Sequence, residues 1–368
     1  MKKGYTLFLV FILIAISAPL ISNQNPLLLF RANHISFPCL SRINYEKAPD
    51  DIIIMPPIPY SPGVSDFDNA DYKSPFSQQH LKNNSIHYRH WLGTTLRGCD
   101  VLAGIIHGTR YALLIGFFAA LISLVIGMSI GATSAFSNEG RIHLSFFQLM
   151  ICIIVFLFFY NLIANVELNS VYKWFVVVVA SISFYFLLQL KYFRINNLSI
   201  NFEKIEMQLT ILFSAVPRLF FVVAIMGIYE HSITILIVLL GITGWMEIAR
   251  MMRSELKRIQ GMDYYASAQL SGASRMRITI KHILPNILPL IISIFSFSFG
   301  GAVLSEASLS FLGWGVAPDQ VTWGTLIMEG KDSMYAWWLV VFPGTCLSIC
   351  LYTLFSIGRK WNNETYSL

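Results

Sequence analysis

Charge is the scarcest property of this chain. Only 12% of its 368 residues are Asp, Glu, Lys or Arg, against about a quarter in an ordinary soluble domain. So few charges cannot clothe a water-facing surface of this size, which excludes a soluble globular protein. Cysteine is also sparse. Cys39, Cys99, Cys152, Cys346 and Cys350 form no CxxC pair and no metal-ligand spacing. The last three lie in apolar runs, where cysteine serves as a small hydrophobe. A Cys39–Cys99 disulfide stays open if both residues face an oxidising compartment. Signatures of chemistry are missing as well. There is no HExxH, and no GxSxG on a strand-turn-helix. The nearest approach to a phosphate loop, GTLIMEGKD at Gly324–Asp332, has one residue too many between its glycines. It also has Asp332 where Ser or Thr must hold magnesium. The chain by itself is therefore expected to hydrolyse no ATP and to need no metal or cofactor.

What is present is apolar sequence, 55% of the residues, gathered in runs long enough to cross about 30 Å of hydrocarbon, which takes about 20 helical residues. The runs predict an all-α, polytopic membrane helical bundle of about eight transmembrane helices. The first span covers residues 1–21. A cleaved signal peptide is the alternative there, given Lys2, Lys3 and the small residues near Ala15–Ala18, but the apolar run Tyr5–Ile21 is long for a signal core. Residues 22–107 form a long polar loop, predicted to lie outside. Pro56, Pro57, Pro59 and Pro62 forbid a continuous helix there. Its aromatics, among them Tyr60, Phe67, Tyr72 and Trp91, argue for an ordered loop with short strands over a flexible linker. Further spans are predicted at Thr109–Phe136, Leu144–Ile163, Tyr172–Leu190, Leu209–Ile228, Ser232–Ala249, Ile287–Leu304 and Trp337–Ile357.

The net charge of +6 is concentrated beside these runs. Lys2 and Lys3, then Lys191, Arg194 and Lys204, then the basic stretch Arg250–Lys281, then Arg359 and Lys360 all fall on one side if both termini are cytoplasmic. That distribution fits membrane orientation and not nucleic-acid binding. Gly127 and Gly131 form a GxxxG that would let two helices approach closely, although such pairs also arise by chance. Pro217 inside the fifth span, and Ser296, Ser298, Gly300 and Gly301 in the seventh, are residues that break or pack helices beside a cavity. Glu306 is expected to act by structural hydrogen bonding, with substrate contact as the alternative.

The informative segment is Gly261–Asn286, GMDYYASAQLSGASRMRITIKHILPN. Residues Asp263–Leu270 are small-rich, Gly272 breaks them, and Met276, Ile280, Ile283 and Leu284 then share a helical face beside Arg277 and Lys281. Pro285 is expected to close the helix before the next span. On periodicity alone the segment reads equally as a helix docked on a partner protein or as an amphipathic helix lying on lipid headgroups.

This segment resembles the "EAA" coupling loop of bacterial ABC importer permeases. The family pattern falls on Ala266, Ser267, Ala268, Gly272, Leu284 and Pro285. Ala266 stands where the family has Glu, and Ser267 where it has Ala, so the acidic contact is missing or has moved to Asp263. RHWLGTTLRGCDVLAGIIHGTR, before the second span, is similar to the corresponding stretch of C-type oligopeptide and dipeptide permeases, the DppC/OppC type of binding-protein-dependent transport inner membrane component. Gly93, Thr94, Gly98 and Asp100 match, while Thr95 and Cys99 depart. SEASLSFLGWGVAPDQVTWGTLIMEG resembles a later stretch of the same family, with Glu306, Ser310–Gly313, Trp323, Gly324, Glu329 and Gly330 matching.

The resemblance implies a six-span permease core at residues 108–139 and 202–358, with a coupling loop at residues 261–285. Residues 140–201 do not match and read as an inserted two-span hairpin, packed at the periphery. It further implies part of a translocation pathway for peptides. The partners would be separate ATP-binding cassette subunits, a second permease and an extracytoplasmic peptide-binding protein, all in a plasma (inner) membrane. Nickel or another small solute is the alternative cargo within the family. A self-sufficient secondary transporter would need mid-membrane ionisable residues, from which the spans are almost free. A membrane-embedded enzyme would need paired polar catalysts there, and none stands out.

Overall fold

A computed structural model describes residues 2–31, 34–39, 52–136, 202–228, 231–272 and 274–366. The block 140–201, with the spans expected at Leu144–Ile163 and Tyr172–Leu190, lies outside the described residues. Among those described, five helical segments are long and apolar enough to cross a membrane: Gly4–Ile21, Val101–Phe136, Ile233–Gln260, Thr279–Phe311 and Trp338–Trp361. A bent pair, Glu203–Ser214 with Arg218–Met226, turns by 70° and makes a sixth if it is one broken span.

We label the helices α1 (Lys2–Ile21), α2 (Val101–Phe136), α3 (Phe202–Ser214), α4 (Arg218–Met226), α5 (Ile233–Thr243), α6 (Trp245–Gln260), α7 (Asp263–Leu270), α8 (Arg275–Ile278), α9 (Leu284–Phe311), α10 (Trp323–Lys331) and α11 (Trp338–Tyr366). The helix α2 is the axis of the bundle, packing against α1, α5, α6 and α9. Its small residues permit this. At Gly127 an added Cβ would sit 2.6 Å from Ile248 Cβ, and at Gly131 it would meet Met252 Cβ at 2.8 Å. The GxxxG pair is thus a packed interface with α6, where close approach replaces the missing hydrophobic drive between helices in lipid. The outer face is apolar, with Leu9, Leu13, Ile16 and Val125 all exposed, as a hydrocarbon solvent requires.

The segment between α1 and α2 is ordered. Three short strands, β1 (Leu28–Arg31), β2 (His34–Ser36) and β3 (Ile52–Ile54), pair antiparallel in the order β2-β1-β3. Leu29 faces Ser36 on one side and Ile53 on the other. Residues 61–100 then fold over one end of the bundle through short 3₁₀ turns at Phe67–Asn69, Lys82–Asn84 and Ile86–Tyr88. The polar segment ends earlier than expected. Helix α2 begins at Val101, not at Thr109, because the Asp100 carboxylate accepts the Ala103 N–H at 2.6 Å and caps the helix. The two cysteines at issue are not joined to each other in this arrangement: Cys39 Sγ lies 3.8 Å from the Leu27 carbonyl and Cys99 Sγ 3.9 Å from Ser65 Oγ.

Candidate coupling site

The span that leads into Gly261–Asn286 does not stop at Ala249. After a break at Gly244 it resumes as α6 and runs to Gln260. Met252, Leu256 and Ile259 are buried along it, so the basic stretch Arg250–Arg258 is one face of an amphipathic helix and not a loop. A tight turn at Gly261 and Met262 then delivers α7. In α7, Tyr265 is buried and Tyr264 and Ala268 pack against a core built on Met252, Ile259, Ile283 and Ile287. The opposite face is open. Asp263, Ala266, Ser267 and Gln269 are exposed, and Leu270 is 89% exposed. Ser267 Oγ is engaged with its own helix, donating to the Asp263 carbonyl at 2.8 Å. Ala268 is expected to admit only small residues, because it packs against this chain's own core.

Gly272 has a φ of +73° and no heavy atom within 4 Å of where a Cβ would stand. Its role is purely conformational: it turns the chain in a backbone region that costs other L-residues about 1–2 kcal/mol. Beyond it, the expected apolar face is out of phase. Met276 lies outside the described side chains. Ile283 is buried, together with Ile278 and Ile287, whereas Ile280 and Leu284 are exposed. A π-turn at Thr279–Ile283 is the reason, since one wide turn shifts the faces that a regular helical period assigns. Pro285 does not close the helix either. It occupies the first turn of α9, where a missing N–H is tolerated, and the chain continues unbroken to Phe311. Asn286 ties the two halves of the segment, donating to Tyr264 Oη at 3.1 Å and to the His282 carbonyl at 2.8 Å. The site is thus a short helix, a left-handed glycine and a π-turn presenting Ala266, Ser267, Leu270, Leu284 and Pro285 on one exposed end of the bundle.

Behind this surface lie ionic contacts that sequence reasoning missed. Arg253 pairs with Glu206, and Lys257 with Glu203. Glu206 is buried and also accepts from Ser134 Oγ at 3.3 Å. These pairs clamp α6, which leads into the segment Gly261–Asn286, to α3. The signal was present as spacing: Glu203 and Glu206 are three apart and Arg253 and Lys257 four apart, each pair on one helix face. Nothing in the sequence says which faces meet.

Helix α3 ends at Ser214, just before the expected breaker Pro217, and α4 starts at Arg218. Arg218 is a second residue that sequence reasoning passed over. Its Nε donates to Thr243 Oγ1 at 3.0 Å and its Nη2 to the Leu240 carbonyl at 2.5 Å. The guanidinium therefore joins the Pro217 break to the C-terminal end of α5, where the helix dipole favours a cation. Glu306 lies at the other end of the bundle, in α9, fully buried, with its Oε1 accepting from Ser310 Oγ at 2.8 Å. It is held by its own helix through Ser310, beside α10, whose Gly324 packs against Ala307 and Ser310.

In the loop layer a second polar cluster holds the start of α2. His90 is fully buried, 2.8 Å from Asp100 through Nδ1 and 3.2 Å from Asp66 through Nε2, and its ring stacks on Tyr60 at 4.2 Å. Burial alone would lower the His90 pKa, but the two carboxylates outweigh it and hold the pKa above 6.5. For Asp66, burial would raise the pKa, but hydrogen bonds from Asn69 and His90 hold it below 3.8. The His90 contribution to stability is full below pH 6.5 and is lost as pH rises through its raised value; the Asp66 contribution is full above pH 3.8 and is lost as pH falls through its lowered value. The loop layer is therefore expected to be tightest between those limits and to loosen as pH rises through the raised His90 value. Amide exchange at Gly98–Ala103 across pH 5–9 checks this. Equal protection throughout, after correction for intrinsic exchange, would contradict it.

Among the described residues no group of three His, Cys, Asp or Glu could hold a metal ion. Comparison with known proteins gives consistent matches. Residues 196–364 match the family described as binding-protein-dependent transport system inner membrane component. The chain is 24% identical over 391 residues to the inner membrane ABC transporter permease protein YejE of Escherichia coli, covering 97% of this chain and 91% of that one. It is 30% identical over 157 residues to the oligopeptide transport system permease protein OppC of Salmonella typhimurium, covering 42% of this chain and 52% of that one. A putative peptide transport system permease protein of Brucella suis is 40% identical over 111 residues, 30% of this chain and 38% of its own length. Those last two matches thus span about half or less of the relatives concerned. Among solved structures, an inward-facing MetNI methionine ABC transporter is similar at a TM-score of 0.46 and 17% identity, over 72% of this chain and 97% of that one.

Proposed function

From the match of residues 196–364 to the binding-protein-dependent transport system inner membrane component family and the similarity to peptide-type permeases, we propose that the chain is a permease of a peptide ABC importer, that it forms part of a transmembrane pathway for oligopeptides or dipeptides, and that the segment Gly261–Pro285 couples this pathway to separate ATP-binding subunits. It is a multi-pass inner membrane protein. The observation that carries the coupling reading is the exposed end of the bundle built by α7, Gly272 and the π-turn. Leu270 and Leu284 are apolar and unburied there, next to the small Ala266 and Ser267, a surface that a partner cleft would cover. A helix lying on headgroups would instead present one long amphipathic face, and the break at Gly272 interrupts any such face.

In this reading Asp263, Ala266, Ser267, Leu284 and Pro285 meet the ATPase subunit, Ala268 seats α7 on the core, and Gly272 sets the angle between the two halves. Attachment alone transmits nothing; the loop must favour one state of the partner over the other. The clamp from α6 to α3 and the Arg218 contact give such a preference a rigid route to the Pro217 break. A second permease and an extracytoplasmic peptide-binding protein complete the proposed importer, and Pro217 lies beside its pathway. The insertion at residues 140–201 is proposed to lie peripheral to that pathway. Copurification tests the assembly. The tagged chain is expected to bring down ATP-binding subunits and a second permease, and Ala266→Cys to crosslink to an ATPase subunit. A chain that purifies alone and transports on its own would overturn the proposal.

Both termini and the coupling segment are proposed to be cytoplasmic, with the loop layer outside. Ser65→Cys should label with an impermeant thiol reagent in intact cells and Ser274→Cys only after lysis. The reverse pattern would invert the orientation.

A further inference from the structure

A groove of about 630 Å³ opens on the side of the bundle between α1, α2, α9 and α11. Its walls are aromatic and aliphatic, with Phe8, Ile12 and Ile16 from α1, Phe117 from α2, Phe299 from α9 and Ile357 from α11. Two lining residues are polar. Ser296 has its hydroxyl committed to the Ile292 carbonyl at 2.8 Å. The other is Arg110, which is exposed and has no carboxylate within ion-pair distance among the described residues.

The position of Arg110 is informative. Above it, Val101 and Ile105 pack against Trp338 and Leu339 beside the loop layer. Below it, Tyr111–Phe136 contains no Asp, Glu, Lys or Arg and spans about 39 Å at 1.5 Å per residue, more than the about 30 Å of the hydrocarbon. Arg110 therefore stands where α2 enters the hydrocarbon on the loop-layer side. The helices α1 and α2 run antiparallel, fixed at their ends by His107 Nε2 on the Ser22 carbonyl at 2.9 Å, so Pro19 lies near the level of Arg110. From Pro19 to Phe8 the groove descends about 16 Å at the helical rise, close to the about 15 Å of one leaflet's hydrocarbon.

We propose that this groove is a binding site for one anionic phospholipid of the leaflet on the loop-layer side, with an acyl chain along Phe8–Pro19 and the phosphate on Arg110. The charge selects the occupant. A neutral apolar helix from a second membrane subunit would fill the walls but offer the guanidinium no acceptor, leaving it to reach for interfacial water. A phosphate accepts from it in a charge-assisted pair.

The test is native mass spectrometry of the purified assembled importer, or of the full chain, titrated with phosphatidylglycerol or phosphatidylcholine in detergent. One phosphatidylglycerol should be retained in preference to phosphatidylcholine. Arg110→Gln should cut that retention about five-fold, the worth of one basic residue at an anionic lipid surface, while Arg110→Lys should keep most of it. The lysine variant separates loss of charge from loss of fold. Equal retention of both lipids by the wild type, or unchanged phosphatidylglycerol retention in Arg110→Gln, would overturn the proposal. So would an efficient crosslink from Ile16→Cys, on the rim of the groove, to a second permease subunit in the assembled importer.

Discussion

Gly272→Val is expected to stop ATP-driven uptake almost completely while the chain still inserts and folds. Gly272 sits at φ +73° with open space around it, so a valine meets no steric wall outside its own backbone. The cost lies in the left-handed conformation, about 1–2 kcal/mol for an L-residue and more for a β-branched one. Over a segment as short as Gly261–Pro285, that is enough to shift the angle between α7 and the π-turn in most molecules. Asn populates the left-handed region readily, so Gly272→Asn should retain most uptake, with Gly272→Ala between the two. Gly272→Asp shares the backbone tolerance of Asn and adds a charge, so its difference from Gly272→Asn isolates the electrostatics of the partner cleft. The measurement is uptake and transport-linked ATP hydrolysis in reconstituted importer. Valine and asparagine variants with equal activity would remove the backbone role assigned to this glycine.

Arg253→Ala is expected to be the most destabilising single change near the site. Glu206 is 3% exposed and its cation partner is Arg253. Removing the cation strands a buried carboxylate, which costs about 3–5 kcal/mol in comparable pairs. The double variant Arg253→Ala with Glu206→Gln should recover most of that loss, because the stranded charge is gone. Uptake should not recover with it, because the tie between α3 and α6 remains cut. Unfolding of the purified chain and its variants, combined as a double-mutant cycle, gives the coupling directly. Independent, additive effects of the two substitutions would show that the pair is incidental.

These two residues show how differently the molecule reads from its two descriptions. A glycine in a small-rich, basic stretch marked a break in the chain at that position, and the structure places a left-handed turn there. A similar local signal located the packed glycines of α2 and the break at Pro217, because steric and φ preferences belong to single residues or short spacings. The phase of the face beyond Gly272 was not legible, since a π-turn leaves no composition signature and shifts every residue after it. Arg250–Arg258 read as a cytoplasmic loop because its charges were weighed by number, while the buried Met252, Leu256 and Ile259 between them carried the helix onward.

The sequence by itself determined that this chain lives in a membrane and where the middle of each described span lies, although the helices run on past the expected ends, to Gln260 in place of Ala249 and back to Val101 in place of Thr109. Each of these follows from run length, charge scarcity and local pattern, which need no knowledge of what touches what. Only the tertiary structure decided that Glu206 meets Arg253, that Arg218 bridges two helix breaks, that His90 lies between Asp66 and Asp100, and that Arg110 stands at the mouth of a groove. Those are contacts between residues far apart in the chain. Such pairings depend on which helix faces are brought together by packing small residues such as Gly127 and Gly131 against α6, and that choice is made by the whole bundle at once.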